Sequence, residues 1–120
     1  MANPVTWFEI VGKDGDKLQK FYSDVFGWEY QQAPGPMKYG MLSAGNGGIG
    51  GGVGQTPEGG GHVTIYVEVD DPQAYLDKIE QHGGKTVMPV TEIPNMVTFA
   101  LFNDPEGHMV GIFKSSGGGN

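Results

Sequence analysis

The sequence predicts an α+β fold made of two tandem βαβββ modules. A strand followed by a capped helix occurs twice, at an offset that carries Asp14 onto Asp71 and Gly27 onto Gly84. Three strand candidates follow each helix, and glycine is concentrated between the two halves. The chain has 120 residues and no Cys, enough for one domain with an ordinary core and no disulfide framework. One domain is expected over residues 1–116, with modules at 3–56 and 61–114 and a disordered tail at 117–120.

Val5 to Val11 (VTWFEIV) alternates Thr6, Phe8 and Ile10 with Val5, Trp7, Glu9 and Val11, the pattern of a strand. Asp14 and Asp16 offer a cap to a helix reaching Phe26, with Leu18, Phe21, Tyr22, Val25 and Phe26 at helical spacing and Gly27 as its stop. Strands are expected next at Trp28–Gln32, Met37–Ala44 and Ile49–Gly54. The second half begins with His62 to Val69, in which Val63, Ile65, Val67 and Val69 are expected under helices. Asp71 caps the second helix and Pro72 takes its first position. Its expected face is Ala74, Tyr75, Ile79 and His82, and Gly83-Gly84 end it. Strands follow at Lys85–Thr91, Val97–Phe102 and Met109–Lys114, the last two joined by the turn Asn103-Asp104-Pro105-Glu106-Gly107. Glu92-Ile93-Pro94-Asn95 reads as a connector near a pocket mouth.

The net charge of −7 argues against nucleic acid and against anionic membrane surfaces, both of which recruit Lys and Arg. No apolar run spans a bilayer and no basic-then-apolar leader opens the chain, so the cytoplasm is the expected location. A small neutral or cationic molecule suits an acidic domain.

Ten of the seventeen residues from Gly45 to Gly61 are Gly. The stretch is either a linker or, in part, a strand stripped of side chains where something else comes close. Gly45 to Gly50 matches G-x-G-x-x-G, but no helix follows it and no Walker lysine is present, so phosphate binding is not expected.

With FYSDVFGW, GHV, VDDP, HGGK and NDPEGHMVGIF in this order, the chain resembles the vicinal oxygen chelate family of glyoxalase I, extradiol dioxygenases, and the fosfomycin- and bleomycin-resistance proteins. The resemblance runs from about Asn3 to Lys114. It implies curved sheets with a concave pocket, and commonly a homodimer. Metal-dependent members hold one divalent ion on strands one, four, five and eight, usually through His, Gln or Glu. Those positions carry over to Trp7, a residue between Gly48 and Gly54, Thr64 and Gly111, none of them a usual ligand. The resemblance therefore implies small-molecule binding without that metal, and glycines that leave room in the pocket. Trp7, Tyr39, Met41, Tyr66, Met109 and Gly111, with Met37 and Phe113, are the expected apolar lining. Glu9, Glu68 and Thr64 are its expected polar groups. His62, set against Glu9 or Glu68, is the candidate base, or the ligand of a relocated metal in an enzymatic alternative. His82 suits a helix C-terminus and His108 an exposed turn. A vestigial pocket in an interaction module is the remaining alternative.

Overall fold

The computed structural model describes residues 2–36, 38–45, 48–56, 60–94 and 96–115. Met37, Asn46, Gly47, Pro57, Asn95 and the expected tail lie outside the described residues. The elements follow the order β1 (Val5–Gly12), α1 (Gly15–Phe26), β2 (Gln31–Gln32), β3 (Tyr39–Leu42) and β4 (Gly50–Gln55), then β5 (His62–Glu68), α2 (Pro72–Gln81), β6 (Lys85–Ile93), β7 (Val97–Asn103) and β8 (Met109–Ser115). Both halves therefore read βαβββ, the α+β arrangement expected. No helix among the described residues is long and apolar enough to cross a membrane.

Local chemistry sets both helix starts. The Asp14 carboxylate accepts from the Lys17 N–H at 3.0 Å, and the Asp71 carboxylate accepts from the Ala74 N–H at 3.2 Å with Pro72 opening the helix. Gly27 ends α1 at φ 75, a left-handed conformation that disfavours side chains. The second helix stops two residues earlier in the repeat, with His82 as its cap and Gly83 at φ 97.

Contacts divide the chain into a unit of residues 6–64 and a unit of residues 1–5 with 65–120. In the first, the strands run in the order β2-β3-β4-β1, with β1 parallel to β4. The glycine-rich segment is thus in part a strand, hydrogen-bonded to both β3 and β1. In the second unit the order is β5-β8-β7-β6, with β5 parallel to β8. The first residues join this second unit because the Glu68 N–H donates to the Pro4 carbonyl at 2.9 Å. Asn3 Nδ2 also donates to the Glu68 carbonyl at 3.3 Å.

Three packing expectations are corrected. Val63 and Ile65 are not covered by a helix but are 73% and 43% exposed. The second helix lies over β6, β7 and β8, so of this strand and its extension only Val67 and Val69 join Leu76, Ala100 and Ile112 in the core. On α2 itself, Leu76 and Pro72 are the buried positions, while Ala74 and His82 are exposed. On α1, Phe21, Val25 and Phe26 are exposed and Gln19 is buried instead. Gln19 Nε2 donates to the Val53 carbonyl at 2.8 Å, and Gln32 Nε2 donates to Gln19 Oε1 at 2.9 Å. A polar side chain thereby closes the gap over strands too poor in side chains to receive a large apolar one. The expected strand at Trp28–Gln32 shortens to two residues, since Trp28 stacks on Tyr22 with centroids 5.1 Å apart. Glu92 and Ile93 belong to β6, and the Met96 N–H donates to the Ile93 carbonyl across a hairpin turn.

Candidate functional site

Residue alternation along β1 puts Trp7 and Glu9 on one face, and the register sets Trp7 beside Gly50 and Glu9 beside Gly52 of β4. On the far side of β4, Met41 pairs with Gly52 and Tyr39 with Gly54. Because Gly52 has no side chain, the Tyr39 ring lies across it, where a Cβ would collide with the phenol. This places the hydroxyl against β1. The Trp7 indole N–H donates to Tyr39 Oη at 3.2 Å, and Tyr39 Oη donates to Glu9 Oε2 at 2.9 Å. Glu9 Oε1 receives His62 Nε2 at 2.9 Å. Trp7, Tyr39, Glu9 and His62 thus form one hydrogen-bonded chain within the unit of residues 6–64.

The Glu9 side chain is 16% exposed and that of His62 29%. Burial, reinforced by the negative charge of Glu9, pushes the Tyr39 phenol far above its ordinary range, so it stays neutral and remains a donor. An ionised carboxylate only accepts, so with Glu9 charged the ring proton of neutral His62 sits on Nε2. Nδ1 is then the basic atom. A carboxylate-held imidazole of this kind can take up and return a proton. Of the two carboxylates proposed for His62, Glu9 is the one it meets.

Trp7 also walls a depression of about 620 Å³ at the ends of β1, β3 and β4, shared with Glu29, Tyr30, Gln31 and Met41. Of the ten expected site residues, Trp7 and Met41 line this depression. Glu29, Tyr30 and Gln31 were not anticipated, because the sequence placed them in a longer strand. Trp7 and Tyr30 contribute aromatic residues to this lining and Glu29 an acidic one.

The other expected residues fall elsewhere. Thr64 and Tyr66 are 5% and 8% exposed. Tyr66 pairs with Gly111 across β5 and β8, and its ring fills the place a Gly111 side chain would take. Phe113 meets that ring edge-on with centroids 6.3 Å apart. Glu68 is half-buried, its backbone held by Asn3 and Pro4. Met109 opens β8 opposite Asn103. The glycines at Gly52 and Gly111 therefore do not open a cavity as expected: an aromatic ring occupies each space. His82 Nδ1 lies 2.8 Å from the Lys78 carbonyl at the end of α2. His108 Nδ1 lies 3.0 Å from Asp104 Oδ2 in the exposed turn.

These contacts do not fit the metal that the resemblance implies for some members. The Trp7 nitrogen carries a proton committed to Tyr39 and has no lone pair to give. Gly50, Gly51, Gly52, Val53 and Gly54 bring no ligating side-chain atom, and Tyr66 covers Gly111. Among the described residues no group of three or more His, Asp or Glu side chains stands together as a metal cage.

A family model described as Glyoxalase/Bleomycin resistance protein/Dioxygenase superfamily matches residues 5–112. "Putative glyoxylase CFP32" of Mycobacterium tuberculosis is 31% identical over 117 residues, covering 92% of this chain and 45% of that protein. The chain thus spans less than half the length of that relative. A "Glyoxylase-like domain-containing protein" of Didymella fabae is 29% identical over 122 residues, 87% of this chain and 88% of that protein. Among solved structures, a methylmalonyl-CoA epimerase in complex with methylmalonyl-CoA superposes with a TM-score of 0.71 at 16% identity, covering 98% of this chain and 97% of that one. The methylmalonyl-CoA epimerase of Mycobacterium tuberculosis gives 0.71 at 11% identity, covering 93% and 87%. At such identities the likeness is one of fold.

Proposed function

The chain belongs to the Glyoxalase/Bleomycin resistance protein/Dioxygenase superfamily, and on that premise we propose that it binds a small, partly apolar or cationic molecule at the Trp7 depression without a resident divalent metal. The carrying observation is the double role of Trp7. Its ring walls the depression while its N–H is tied through Tyr39 to Glu9. An aromatic wall fixed from behind offers stacking area at little entropic cost, and Glu29 adds a charge for a cation. The same features disfavour a polyphosphate-bearing ligand such as a coenzyme A ester, because the net charge is −7. The cytoplasm remains the proposed location.

Trp7 fluorescence in a Trp28→Phe background tests this reading. N-methylquinolinium is expected to quench Trp7 in a saturable way, more strongly than neutral naphthalene, and the response is expected to fall in Glu29→Gln. Metal analysis of protein purified without chelator is expected to find substoichiometric Ni, Zn, Mn, Fe and Co. A stoichiometric ion lost in His62→Ala overturns the metal-free reading, and failure of both probes to bind overturns the ligand class.

A second reading, proton-transfer catalysis, is favoured by one observation: the 2.9 Å contact between His62 Nε2 and Glu9 Oε1.

A further inference from the structure

A glycine inside a strand leaves room where a side chain would stand, and in this chain aromatic rings take that room. A Cβ on Gly51 would collide with the Phe8 ring, one on Gly52 with Tyr39, and one on Gly111 with Tyr66. A Cβ on Gly40 would meet the first ring carbon of Tyr30 at 3.0 Å. All four glycines are buried. At each of them the chain brings one of its own rings against bare strand backbone.

Gly50 departs from this pattern. It opens β4, pairs with Trp7 on the face it shares with Gly52, and is half-buried where the other glycines of β4 are buried. A Cβ there would meet the Leu42 carbonyl oxygen at 3.1 Å and Trp7 Cζ3 at 3.2 Å, with no atom closer. Its side-chain space is thus skirted by Trp7 but not filled by any ring. At Gly54, the remaining glycine of β4, the Lys38 carbonyl takes the space. Gly50 also borders the depression that Trp7 and Met41 line. The bare backbone left uncovered on β4 is therefore the stretch that a ligand in the depression can reach. A strand glycine of this kind marks a close approach, and a flat aromatic face gains the most contact area from it.

We propose that Gly50 is the specificity-determining residue of the depression, receiving a planar aromatic ring of the ligand on bare backbone beside Trp7, as Gly51 and Gly52 receive Phe8 and Tyr39. This inference rests on the ligand reading above and narrows it to molecules that carry a flat ring. One added methyl group at this spot removes room that the ring needs, and a single methyl-sized change in an apolar pocket shifts affinity by about 10–200-fold.

Titration of N-methylquinolinium against Trp7 fluorescence, in the Trp28→Phe background, tests this. Gly50→Ala is expected to raise the dissociation constant at least about ten-fold. Val53→Ala is expected to leave it within about two-fold, although it opens a cavity beneath the same strand. Lost strand stability is thereby told apart from lost room. In the protein with β4 unaltered and its glycines isotope-labelled, nuclear Overhauser contacts are expected from the quinolinium ring protons to Gly50 Hα and not to Gly51 Hα. That measurement decides the matter if Gly50→Ala does not fold. Saturable quenching of Trp7 without a contact to Gly50 overturns this inference and leaves the ligand reading standing. So does a dissociation constant that Gly50→Ala leaves unmoved, or one that Val53→Ala raises equally. Quenching that never saturates overturns the ligand reading, and this inference with it.

Discussion

Glu9 and His62 stand 53 positions apart in the chain and meet through Glu9 Oε1 and His62 Nε2 at 2.9 Å. The other carboxylate oxygen is taken by the Tyr39 hydroxyl at 2.9 Å. With both oxygens engaged the carboxylate has one favoured rotamer, and the imidazole inherits its orientation from it. The two half-buried partners join the start of β5 to β1 within the same unit.

That contact predicts measurable coupling. In a double-mutant cycle of Glu9→Ala and His62→Ala, urea unfolding at neutral pH is expected to give an interaction energy of about 0.5–1.5 kcal/mol, above the surface-pair range but moderated by solvent. Additive losses, within about 0.3 kcal/mol, would mean that the contact contributes nothing to folding.

Tyr39→Phe removes the donor to Glu9 Oε2 and the acceptor of the Trp7 N–H together, taking one partner from each of two half-buried groups. A loss of about 1–3 kcal/mol is expected. The alkaline limb carries a second signature. Burial and Glu9 raise the Tyr39 pKa in the folded protein, so its contribution is fully present below the unfolded value of about 10 and is lost as pH rises beyond it. Unfolding measured from about pH 8 to about pH 11 should therefore show stability falling in the native protein and a shallower fall in Tyr39→Phe. Some slope remains, because burial also raises Tyr30.

What the sequence disclosed follows from how local each cause is. Asp14, Asp71, Pro72 and Gly27 act within one helical turn, and each sits where its chemistry placed it. Strand alternation correctly put His62 on the face of Glu9. Choosing Glu9 over Glu68 as its partner required the placement of strands far apart in sequence. Val63 and Ile65 show the same limit from the other side. Alternation assigns them a face, but whether a helix covers that face depends on where α2 lies, and it lies over β6, β7 and β8. The glycines of β4 were legible as a site of close approach. That Tyr39 is the ring approaching Gly52 depends on the pairing of β3 with β4.

Gly111→Ala tests the ring that fills the position carried over from the family. A Cβ there would collide with the Tyr66 ring, which is buried and packed edge-on against Phe113. The expected cost is about 1–3 kcal/mol from overpacking. Tyr66→Ala removes the obstruction, so the double substitution should destabilise less than the sum of the two single ones. A sum within about 0.5 kcal/mol would place the cost in the backbone rather than in the ring.

The Asp104 turn predicts an acid limb. The His108 backbone N–H holds the Asp104 carboxyl below its usual value, with further help from the Glu106 N–H and the His108 imidazole at 3.0 Å. A depressed carboxyl contributes stability that is present above the unfolded value, about 3.9, and is lost as pH falls through the lower folded value. Asp104→Asn keeps an acceptor for the two backbone N–H groups but cannot titrate. Unfolding measured from about pH 6 down to about pH 2 should therefore fall less steeply in Asp104→Asn than in the native protein. Amide protection at Glu106 and His108, taken relative to the intrinsic exchange rate at each pH, should fall in the native protein over the same descent and stay level in the variant. Parallel curves for the two proteins would show that the turn holds its shape without the charge, through the bond from the Gly107 N–H to the Asp104 carbonyl and the left-handed Gly107.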